Sequence, residues 1–85
     1  MKLTIATPKK SFPSVEVKEV TLPTEEKGEI VILPGHARML SKLGVGTLTY
    51  HSSSEQKQIS ISNGVVEVKE DQITVLADEA EWKNS

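Results

Sequence analysis

The chain has 85 residues, a formal charge of −2 and no cysteine, with 36% apolar and 26% charged residues. That length makes a single domain over 1–85, which buries only about 60% of the surface its unfolded chain exposes and leaves little core for a deep catalytic cleft. This composition excludes a disulfide framework and thiolate chemistry, exerts no pull on nucleic acid, and offers no apolar run near the ~20 residues that span a bilayer.

The opening "MKLTIATPKK" alternates at Leu3 and Ile5, which predicts a strand, and its apolar part is too brief for a signal peptide. The chain is therefore expected to stay in the compartment where it is made. After the turn signal "TPKKS", Val15 and Val17 occupy odd positions while Val20 and Leu22 occupy even ones. A continuous strand would expose one pair, so a bulge or bend is expected near Lys18 and Glu19. "PTEEKG" then turns the chain into "GEIVIL", a β-branched strand that ends at Pro34 and Gly35. The following "HARMLSKL" is the one segment with room for two helical turns, and Gly44 and Gly46 stop it.

Leu48 and Tyr50, Ile59 and Ile61, Val66 and Val68, and Ile73 and Val75 continue the two-residue period. They are separated by "HSSSEQ", "SNG" and "KEDQ", of which Asn63-Gly64 is the strongest turn signal because both residues tolerate positive φ. The tail "ADEAEWKNS" loses the alternation and is helix-permissive, but too short to bury a helix face. Eight to ten short strands folded as two packed antiparallel sheets are expected.

The chemistry-bearing residues do not assemble into a catalytic pattern. His51 leads into a polar turn, and His36 follows the Pro-Gly break, where a ring nitrogen bonded to a backbone group would fix the loop. Asp71 and Asp78 lack paired carboxylates, and Glu25, Glu26 and Glu29 read as a solvated surface. No nucleophile elbow or phosphate-cradling loop is present, and Phe12, Tyr50 and Trp82 are too scattered to stack bases. No enzyme, cofactor or metal site is expected. What remains is a rigid β module that works by contact. Arg38 and Met39 are of types enriched at interface centres, although Met39 and Leu40 serve equally well as core plugs under the loop.

Two long stretches carry a family resemblance. "GEIVILPGHARML" and "SNGVVEVKEDQITVLADEAE" resemble, in order and separation, the two signature segments of the epsilon subunit of F-type ATP synthases, called delta in mitochondria. The resemblance implies a ten-stranded β-sandwich at the foot of the central stalk, bound to the gamma subunit and resting on the ring of c subunits. It implies no chemistry, no cofactor and no membrane insertion, in a peripheral position on the cytoplasmic face of the inner (plasma) membrane. It further implies that Gly28 and Glu29 face the polar loops of the c-ring, and that His36, Arg38, Met39 and Ser41 lie against gamma. Val31 and Arg38 depart from the family's usual glycine and proline, Asn63 replaces the first glycine of a pair, and Pro13-Ser14 stands in place of a glycine-containing turn. Most bacterial relatives continue past "ADEAE" into a two-helix domain that can block ATP hydrolysis. Here no C-terminal helical hairpin, and hence no inhibition by it, is expected. The rival reading is a stand-alone β-sandwich recognition module, which would normally carry clustered exposed aromatics or a long uncovered edge strand.

Overall fold

The computed structural model describes residues 1–83, and these form no helix. Seven strands follow one another: β1 (Lys2–Ala6), β2 (Val15–Glu16), β3 (Glu19–Thr24), β4 (Gly28–Ile32), β5 (Met39–His51), β6 (Gln56–Lys69) and β7 (Gln72–Trp82). They form one continuous sheet in the order β2-β1-β7-β6-β5-β3-β4. All pairs are antiparallel except β1 with β7, which run parallel from Lys2 opposite Gln72 to Ala6 opposite Leu76.

A single sheet becomes a two-layered sandwich because its three longest strands bend along one row. In β5, Leu43 is buried at an odd position and Leu48 and Tyr50 at even ones. In β6, Ile59 and Ile61 precede the bend and Val66 and Val68 follow it, with the same change of phase. In β7, Ile73, Val75 and Ala77 give way to Ala80. An unbent strand with this pattern would send half its apolar side chains to solvent. Bending each strand at the phase change turns both halves toward one core.

The backbone pays for the bend at Asn63 and Gly64, whose φ values are 54° and 121°. A side chain at Gly64 is impossible without movement, since its Cβ would overlap the Leu76 carbonyl and lie 2.7 Å from the Ala77 Cα. Gly44 and Gly46 make the same corner in β5, where a Cβ on Gly46 would come 3.1 Å from the Pro23 Cβ. Here the β3–β5 register shifts, and Pro23, which has no N–H to donate, lies in the interrupted stretch.

One layer thus contains β2, β1, 72–77 of β7, 64–69 of β6 and 39–43 of β5. The other contains 79–82 of β7, 56–62 of β6, 45–51 of β5, β3 and β4. Leu3, Ile5, Val66, Val68, Ile73 and Val75 from the first layer and Val20, Leu22, Ile32, Leu48 and Ile59 from the second belong to one buried cluster. The thinnest dimension is 20 Å, which accommodates two twisted sheets packed about 10 Å apart.

The all-β sandwich agrees with the sequence reading, but several local expectations are corrected. The described residues form seven strands rather than about ten, because three strands serve both layers; counting each of those once per layer gives ten. Asn63-Gly64 is a mid-strand bend rather than a hairpin turn. "HARMLSKL" is loop and then strand, and the tail to Trp82 is strand as well, because pairing with β6 satisfies its backbone and outweighs helical propensity. The expected break near Lys18 falls between β2 and β3, and it buries Val17, Val20 and Leu22 together. Trp82 stays on the sandwich: its ring meets Phe12 edge to face at 5.4 Å, and the Lys57 ammonium lies 5.4 Å from its centroid.

Candidate partner interface

The loop after β4 is built by its own sequence. Leu33 to His36 form a turn with Pro34 at its second position and Gly35 at φ 84° at its third, closed by the His36 N–H donating to the Leu33 carbonyl at 3.1 Å. The His36 Nδ1–H donates to the Ala37 carbonyl at 2.7 Å, the ring-to-backbone bond expected of it. That bond selects the Nδ1-protonated tautomer of the neutral ring and leaves Nε2 as an acceptor. A tie to the body comes from the Gly35 N–H, which donates to Asp71 Oδ1 at 3.2 Å in the β6–β7 turn. His51, by contrast, ends β5 half-buried, with its carbonyl accepting the Lys18 N–H.

Gly28 and Glu29 lie at the other end of β4, about 13 Å along the strand from Ile32. Gly28, at φ 71°, closes the β3–β4 turn. The Thr24 hydroxyl donates to the Gly28 carbonyl at 2.7 Å and accepts the Lys27 N–H at 3.0 Å. Glu29 is exposed, and among the described residues no ion pair engages it. The two sets of residues singled out from the sequence are therefore not one site. One marks each end of an edge strand.

Within the second set, the strand's alternation divides the side chains. Met39 packs partly buried against the core and Ser41 is half-buried, whereas Arg38 is exposed and Leu40 is 74% exposed. Met39 therefore fills the core-plug role, and Leu40 is the residue of the pair that looks outward.

Sequence reasoning missed what lies beside Leu40. The register places Lys42 opposite Val65, Val65 opposite Leu76 and Leu76 opposite Ala6, while Leu40 lies on the neighbouring row opposite Glu67. Leu40, Val65 and Leu76 form an exposed apolar strip across the outer face of the first layer, with Lys42 and Glu67 at its margins. The signal was present in the chain as adjacent apolar pairs, Met39-Leu40, Val65-Val66 and Val75-Leu76. In a strand, neighbours point to opposite faces, so one of each pair must face solvent. Such a strip offers a partner apolar surface to bury.

Across the bend, the outer face of the second layer is different. A groove of about 720 Å³ runs between the loop 7–10 and the strands, lined by Val45, Thr47, Ser60, Ser62 and Glu79 among others. Its wall is secured by the Lys10 ammonium on Glu81 at 2.9 Å. No cluster of three or more His, Asp or Glu among the described residues is placed to hold a metal.

Comparison with known proteins agrees with this architecture. The profile of the family described as "ATP synthase, Delta/Epsilon chain, beta-sandwich domain" matches residues 1–83. The ATP synthase epsilon chain of Solibacter usitatus is 43% identical over 95% of this chain and 60% of its own. The chloroplastic epsilon chain of Tetradesmus obliquus is 35% identical over 95% of this chain and 59% of its own. This chain thus spans about 60% of the length of these curated relatives. Among solved structures, a chain of the Euglena gracilis mitochondrial ATP synthase OSCP/F1/c-ring assembly superposes with a TM-score of 0.84 at 26% identity, covering 94% of this chain and 51% of that one. With the profile spanning all the described residues and the fold superposing on that solved structure, the chain belongs to the delta/epsilon family of ATP synthase subunits and is its β-sandwich domain.

Proposed function

We propose that this chain is a non-catalytic rotor module of an F-type ATP synthase, placed between the gamma subunit and the c-ring and turning with them. The observation that carries the reading is the family match over 1–83, joined to a surface that is built for contact. In this reading gamma covers the apolar strip of Leu40, Val65 and Leu76 together with the His36–Arg38 loop, and Met39 and Ser41 support that surface from beneath. Gly28 and Glu29, at the far end of β4, face the c-ring. The exposed Glu29 carboxylate orients that contact more than it holds it, since an exposed ion pair is worth about 0–1 kcal/mol. The module works peripherally, on the cytoplasmic face of the plasma membrane.

The fold suits a part that transmits torque. Three strands run through both layers, so sliding one layer over the other means straightening β5, β6 and β7 against a close-packed core. The recognition-module alternative has the groove beside the loop 7–10 in its favour, but that groove contains no aromatic side chain to anchor a sugar or peptide.

The test is co-purification with the gamma subunit of the same organism. The wild-type chain should form a stable complex, and the double substitution His36→Ala, Arg38→Glu should weaken it about tenfold or more. A wild-type chain that fails to bind gamma removes the stalk reading.

A further inference from the structure

We infer that Asp71 is a positioning residue that seats the 33–38 loop for its partner, an inference that rests on reading this loop as a partner contact. The sequence alone presents Asp71 as one member of a polar turn. In the structure it sits where three segments converge. Its carboxylate Oδ1 accepts the Gly35 N–H at 3.2 Å, and its carbonyl accepts the Lys2 N–H at 2.9 Å at the start of β1.

The turn that presents this carboxylate is held in an unfavourable conformation. Glu70 and Asp71 link β6 to β7 in two residues, with φ values of 50° and 60°. Two-residue hairpins with both central residues at positive φ favour Asn-Gly or Asp-Gly, because glycine meets no steric cost there. Here the second position is an aspartate. The strain it bears is offset by a bond that glycine could not make.

The tie matters because the loop has little else to hold it. Outside the strand ladders, the hydrogen bonds of the loop among the described residues are His36 N–H to Leu33 and His36 Nδ1–H to Ala37, both internal, and the bond to Asp71. The first two shape the loop. Only the third fixes where it sits on the sandwich.

Two substitutions separate positioning from general stability. Asp71→Gly relieves the backbone and removes the acceptor; Asp71→Asn tolerates the same φ and keeps an amide oxygen for the Gly35 N–H. With Asp71→Gly the melting temperature is expected to stay level or rise. Backbone ¹⁵N relaxation of the free chain should show residues 34–38 becoming mobile, and affinity for gamma should fall about tenfold. Asp71→Asn should keep both loop order and affinity close to wild type. If Asp71→Gly leaves 34–38 as rigid as before, or Asp71→Asn loosens them as much as glycine does, the inference is overturned. The relaxation measurement needs no partner. A wild-type chain that ignores gamma while Asp71→Gly still frees the loop would therefore count against the stalk reading and for the positioning role of Asp71.

Discussion

Tyr50 belongs to the second layer's share of the core and is 6% exposed, and burial pushes its phenol above the ordinary 10.0, with the Glu55 carboxylate adding to the shift. The sign of the consequence follows from linkage. The folded state resists forming the phenolate, whereas the unfolded chain ionises freely near its ordinary value. Stability contributed by the neutral ring is therefore complete below about pH 10 and is lost as pH rises from there toward the raised folded value. Tyr50→Phe should change stability by less than about 1 kcal/mol near neutral pH. Above about pH 10 its urea midpoint should fall less steeply than that of the wild type, and the lysines, common to both proteins, cancel in the comparison. At this scale much was legible in one dimension. The ring-to-backbone bond of His36 follows from a histidine placed just after a Pro-Gly break. The division of labour between Met39 and Leu40 does not, because either can be the buried member until the register is known.

The bends of β5, β6 and β7 are the features that make this sequence a sandwich, and their cause is visible as phase changes in the apolar pattern. Sequence reasoning found such a slip at Lys18-Glu19 and resolved it as a break. It passed over the equivalent slip between Ile61 and Val66 because Asn63-Gly64 also satisfies a hairpin turn. Local φ preference cannot tell a reversal from a bend; only the partner strands on both sides do so, by keeping one register through the kink. The tail was misread for a related reason. Ala77 and Ala80 are good helix formers, yet they are the small residues that fit beneath the corner of β7, where both are buried. Gly64→Ala tests the bend directly. Its Cβ would collide with the backbone at Leu76 and Ala77, so a loss of about 2–4 kcal/mol is expected in chemical denaturation. Asn63→Gly, which asks nothing new of the backbone, should cost less than about 1 kcal/mol.

At the scale of the whole molecule, the two outer faces differ in what they offer. The first layer presents Leu40, Val65 and Leu76 beside a loop pinned by Asp71; the second presents a groove of mixed lining, with Val45 beside Thr47 and Ser60, whose wall is closed by Lys10 and Glu81. The family was legible because two long segments carry its pattern. The face was not, because it is assembled from three strands that are distant in sequence. The most direct measurement is amide hydrogen exchange of the chain alone and in complex with its gamma subunit. Protection is predicted at 34–42 and along the outer positions of β6 and β7 around Val65 and Leu76, with the groove residues around Thr47 and Ser60 unchanged. Protection confined to the groove, with the apolar strip exchanging as it does in the free chain, would contradict the account.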